Sequence, residues 1–152
     1  MNALKASLRT LVALITLLFC LSGSWGSAQV SEEKVMQLRK AAEQGDAELQ
    51  CNLTLAYIRG NGVPQDYAEA VKWYRLVAEQ GDVDAIFKLG SSYYNGKGVP
   101  RDDVLAYMWL NIAAVSGIEN SKTYMANLSK RMTPEQIAEA QKLSREWKPK
   151  MQ

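Results

Sequence analysis

Gly60-Asn61-Gly62-Val63-Pro64-Gln65-Asp66 returns later in the chain as Gly96-Lys97-Gly98-Val99-Pro100-Arg101-Asp102, an offset of 36 residues. The flanks recur at the same offset. Ala42-Glu43-Gln44-Gly45-Asp46 becomes Ala78-Glu79-Gln80-Gly81-Asp82, and Leu53, Tyr57, Ala70 and Trp73 become Leu89, Tyr93, Ala106 and Trp109. A fixed period in this range marks a stacked repeat, in which one supersecondary unit buries its apolar face against the next.

The unit is helix-turn-helix. In the first helix, from Ala47 to about Arg59, Leu49, Leu53, Ala56 and Tyr57 fall on one face at helical spacing. Gly60 and Gly62 supply backbone angles that other residues resist, and Pro64 stops the helix. Asp66 is positioned to cap a second helix, with Glu69 three residues on completing a capping-box variant. That helix turns Ala70, Trp73, Tyr74 and Val77 inward, and small Ala70 and Ala106 let neighbouring helices approach closely. Upstream, Ser31 to Gln44 is expected to be a second-type helix with Ser31 as its N-cap, ended by Gly45, so the stack begins with half a repeat.

The third cycle departs from the pattern. Lys130-Arg131-Met132-Thr133-Pro134 replaces the Gly-x-Gly turn, and the Pro-to-Pro spacing is 34 rather than 36. Thr133, Pro134 and Gln136 still make a helix start, with Ala140 and Leu143 in the places of Ala106 and Trp109. A divergent end is expected where a stack meets water, and Lys142, Ser144, Arg145 and Lys148 suit a polar outer face. The fold class that follows is all-α, a short right-handed α-solenoid of about seven helices. Its parts are a half repeat at 29–46, full repeats at 47–82 and 83–118, and a capping repeat at 119–152.

These residues resemble the Sel-one-like repeat family, a branch of the tetratricopeptide-like helical repeats. The matching positions are Leu53, Tyr57, Gly60, Gly62, Val63, Asp66, Ala70, Trp73, Tyr74, Ala78 and Gly81. The second copy supplies Leu89, Gly90, Tyr93, Gly96, Gly98, Val99, Asp102, Ala106, Trp109, Ala114 and Gly117. Thr54 replaces the helix glycine in the first copy and Leu110 replaces the tyrosine in the second. The resemblance implies an adaptor that holds other proteins together, of a kind found in bacterial envelopes. Some disulfide-rich relatives are linked to β-lactam binding, but the paired cysteines of those relatives are missing here.

The front of the chain has a different character. Lys5 and Arg9 precede an apolar run from Leu11 to Leu21, and Gly26-Ser27-Ala28 offers small residues before a cleavage point. That is the pattern of a signal peptide over residues 1–28, so the mature chain is expected to start near Gln29 and be periplasmic or secreted; an uncleaved anchor is the alternative. Cleavage removes two of the 18 basic residues and none of the 16 acidic ones, leaving a formal charge of zero. No nucleic-acid or anionic-membrane footprint remains. Lys142, Arg145, Lys148 and Lys150 are expected at a helix end, where cations complement the dipole.

The chain contains no histidine, the commonest general base and metal ligand. Cys51, the one cysteine beyond the leader, lies in a helical pattern and is expected to be a small, partly buried apolar side chain. The Gly-x-Gly turns lack the strand and the Lys-Ser/Thr of a nucleotide loop. No enzyme, cofactor or metal is expected.

One surface remains as a candidate. Asn52, Leu55 and Arg59 share a face of the first-type helix, and the offset carries it to Lys88, Ser91 and Asn95, then to Tyr124, Asn127 and Arg131. Stacking aligns such positions into a strip on the concave side of a solenoid. The sequence therefore predicts a non-catalytic exported scaffold that binds a protein or peptide there. The alternatives are an envelope hydrolase or penicillin-interacting enzyme, or a regulator occupying a partner enzyme's surface.

Overall fold

The computed structural model describes the backbone of residues 25–150 and the side chains of residues 33–150. Residues 1–24 of the expected leader lie outside the described residues. Among the described residues seven helices follow one another: α1 (Trp25–Ala42), α2 (Ala47–Arg59), α3 (Tyr67–Glu79), α4 (Val83–Asn95), α5 (Asp103–Val115), α6 (Asn120–Ser129) and α7 (Pro134–Glu146). The architecture is all-helical, as the period predicts; from α1 to α6 each helix packs against its neighbour in sequence, and α7 packs on α5.

The turns work as their residues dictate. Asp46, Asp66, Asp82 and Asp102 each accept backbone N–H bonds at the head of the following helix, which supplies partners for donors that a helix leaves open. Gly60 and Gly96 end α2 and α4 in the left-handed region, at φ 70° and 66°. The backbone N–H groups of Asp66 and Asp102 then return to the carbonyls of Tyr57 and Tyr93, at 3.0 and 3.2 Å. At the far end Thr133 and Gln136 form a reciprocal capping box, with bonds of 2.9 and 3.3 Å.

The repeat positions are the core. Leu53, Leu89, Val77 and Ala113 are fully buried, and Tyr57, Tyr93, Ala70, Ala106, Trp73 and Trp109 are nearly so. Gly90 lets α4 meet α5 closely. A β-carbon there would lie 2.9 Å from Leu110 Cγ and 3.2 Å from Trp109 Cβ.

Four expectations are corrected. Helix α1 begins at Trp25, so Ser31 lies inside it and is not its N-cap. A serine cap is worth only about 1 kcal/mol, comparable to what a few ordinary helical residues decide, and no proline interrupts 25–31. The second correction concerns Glu69, which forms no capping box. The Asp66 N–H is already held by Tyr57, and Glu69 pairs with Lys72 instead. The third concerns Ser144, which faces inward and accepts a 2.7 Å bond from Asn111 Nδ2. Finally, α7 ends at Glu146, so Lys148 and Lys150 lie beyond it, and Lys150 binds the end of α3 rather than its own helix.

Candidate functional site

Helices α2, α4 and α6 carry eight of the nine residues of the strip, with Arg131 in the turn after α6, and the structure engages them unequally. Asn52, Leu55 and Arg59 are exposed on α2, and Leu55 at 39% exposure is an apolar side chain open to water. On α4 Lys88 is exposed, with its ammonium 5.8 Å from the Phe87 ring. Asn95 is exposed as well, but its amide donates back to the Ser91 carbonyl at 2.9 Å and to the Ser91 hydroxyl at 3.3 Å. Asn127 is exposed on α6.

Tyr124 and Arg131 are engaged by side chains of the molecule itself. The Tyr124 ring stands edge-on to Phe87 at 5.8 Å and to Tyr94 at 4.9 Å, tying α6 to α4. Aromatic pairs of this geometry contribute about 0.5–1.5 kcal/mol beyond their burial. Arg131 grips Asp103 through two bonds of 2.7 and 2.8 Å, and its guanidinium lies 4.7 Å from the Tyr94 ring centre. The Arg131 hydrogen bond, joined by Arg101, holds the Asp103 carboxyl below its usual range. Asn52, Leu55, Arg59, Lys88 and Asn127 therefore remain as the open part of the strip.

Two contacts escaped the sequence reading. The Arg39 guanidinium donates to the Tyr57 hydroxyl, and Arg75 donates to Tyr93 one repeat later. Each links a second-type helix to the first-type helix after it. The signal was present, because Arg39 and Arg75 stand 36 apart. The next equivalent, Asn111, makes the bond to Ser144 already described.

Cys51 is half-buried against the core. Burial raises its thiol pKa first, and the Asp82 and Asp84 carboxylates raise it further. Such a thiol stays protonated and is a poor nucleophile. Among the described residues no group of three or more His, Cys, Asp or Glu side chains is placed to hold a metal ion, and no helix is long and apolar enough to cross a membrane.

The Sel1 repeat model matches residues 38–46, 47–82 and 83–117, more than half of the chain. The chain belongs to the Sel1 repeat family. Solved structures resemble it, two of them as follows. One is c5321, a protective antigen present in uropathogenic Escherichia coli strains displaying an SLR fold. It is 36% identical, with a TM-score of 0.66, over 74% of this chain and 24% of that one. The other is a Sel1 repeat protein from Oxalobacter formigenes, 35% identical with a TM-score of 0.60, over 66% of this chain and 41% of that one. The chain thus spans about a quarter and two-fifths of these proteins. No curated protein matches the chain at a significant level. Sel1 repeats generally mediate protein interactions.

Proposed function

We propose that this Sel1 repeat chain is a non-catalytic, exported scaffold that binds a segment of a partner protein along α2, α4 and α6. The observation that carries the reading is the pairing of an aromatic α4–α6 junction with an open face beside it. Tyr124, Phe87 and Tyr94 lock the helices, while Asn52, Leu55, Arg59, Lys88 and Asn127 are left to water. A preorganised face loses little conformational freedom on binding. The polar, mildly basic character of those residues suits a polar or acidic segment with one apolar contact for Leu55.

Export is part of the proposal, supported by the positive head, apolar run and small residues of the first 28 positions. The absence of histidine and the raised thiol of Cys51 support a role in binding rather than turnover. Affinity capture from an envelope extract tests it, with the chain beside a variant carrying Asn52→Ala, Lys88→Glu and Asn127→Ala. Circular dichroism checks that both are equally helical. A partner retained by the first and lost by the second is the expected result. Equal retention by both would remove the face from the proposal.

A further inference from the structure

The C-terminal tail shows how an extended segment seats on this stack. Beyond α7 the Trp147 indole stands edge-on to Trp109, with ring centres 5.5 Å apart. Pro149 covers Gly81, where a β-carbon would lie 3.3 Å from Pro149 Cβ. Lys150 donates its backbone N–H to the Glu79 carbonyl at 2.7 Å and its ammonium to the Glu79 carboxylate at 2.8 Å. The berth is therefore Trp109, Gly81 and Glu79, filled by an aromatic residue, a proline two positions on and a lysine next to it.

The repeat holds a second copy of that berth. One period earlier stand Trp73, Gly45 and Glu43, and Gly45 has the same left-handed backbone as Gly81, at φ 98° and 93°. This copy opens onto a cleft of about 360 Å³ with Leu76 in its wall and the bonded pair Gln80–Gln50 beside it. Lys150 and Glu79 also border the cleft, so it prolongs the track that the tail follows. Leu76 is 43% exposed, whereas its equivalent Ile112 is half-buried. Trp73 is buried with its indole N–H unpartnered. Glu43, at the carbonyl end of α1, is exposed and makes no ion pair among the described residues. Negative charge at a helix C-terminus adds to the negative end of the dipole, so the site favours a cation.

We propose that this cleft binds an extended segment of a partner protein, bearing an aromatic residue followed two and three positions on by proline and lysine. The aromatic ring lies against Leu76 and Trp73, the proline passes over Gly45 and the lysine pairs with Glu43. The cleft contains none of the nine strip residues, so the loss of either surface leaves the other intact.

The test uses the full chain and the peptide acetyl-Ala-Trp-Lys-Pro-Lys-Ala-amide, followed through the chain's indole N–H resonances, each assigned by a Trp→Phe variant. The Trp73 signal is expected to shift saturably, with a Kd of about 0.1–1 mM for so short a flexible peptide. Glu43→Lys is expected to weaken binding about tenfold, equivalent to one charge-assisted bond. Leu76→Glu, a second exposed position, should do the same, and the peptide with alanine for tryptophan should not bind. No Trp73 shift at several millimolar peptide would overturn the proposal. So would shifts confined to Trp109 and Trp147, which would mean that the peptide merely displaces the tail. Self-association of the chain that is abolished by Trp147→Ala would overturn it too, by assigning the cleft to the tail of a second copy.

Discussion

The backbone at Gly98 presses on the carbonyl of Tyr67, so closely that a β-carbon on Gly98 would stand 2.2 Å from the Tyr67 oxygen. The turn of one repeat thus rests on the first residue of α3 in the repeat before it. Glycine at this position serves the stacking as well as the turn, whose φ is 79°.

Gly98→Ala and Gly117→Ala separate those two roles. Gly117 also has a left-handed backbone, at φ 101°, but a β-carbon there would meet nothing within 4 Å. Urea unfolding should show a loss of about 1–2 kcal/mol for Gly117→Ala, the backbone strain alone. Gly98→Ala should lose at least about 3 kcal/mol, since overpacking is added to the strain. Equal losses would mean that α3 yields easily to the turn.

The Arg75–Tyr93 contact is expected to couple adjacent repeats. Tyr93→Phe and Arg75→Ala should each destabilise the chain by about 1 kcal/mol, the scale of a partly exposed hydrogen bond from a charged donor. A double-mutant cycle should recover most of that as a shared term. Additive losses would show that the two side chains act independently.

Much of the fold was legible in the sequence, because glycine, proline and aspartate at fixed spacing decide turns and caps locally. Gly60, Asp66 and Thr133 do what their chemistry requires wherever they stand. Ser31 could not be placed that way, since a cap competes with helix continuation on a margin of about 1 kcal/mol. The strip was legible only as a set of positions. Helical spacing says which residues share a face, but tertiary contact decides that Tyr124 packs on Phe87 and Tyr94 while Asn127 stays in water. The return of Lys150 to Glu79 had no local signal at all, because an extended tail carries no period.

The Asp103–Arg131 pair makes stability depend on acid. Its folded-state pKa is depressed, so its contribution is complete above the unfolded value of about 3.9 and is lost as pH falls through the lower folded value. Asp103→Asn should therefore cost up to about 1 kcal/mol at pH 7, the scale of a solvent-screened surface pair, and almost nothing near pH 2. Urea midpoints measured at both pH values check it. A cost that does not change with pH would assign the effect to packing.

Cys51 should alkylate slowly. With its thiol pKa raised by burial, iodoacetamide labelling of the folded chain at pH 7.5 should run at least about tenfold slower than in urea. Labelling as fast as in the unfolded chain would mean that the thiol is accessible and activated.

The most direct test of the scaffold reading is a photo-crosslinking amino acid placed at Leu55, with Val115, which is more exposed still, as a control off the strip. In cells, irradiation should join the Leu55 variant to one discrete partner, with no such product from the Val115 variant. Products of equal yield from both positions, or none from Leu55, would contradict a binding face on α2, α4 and α6.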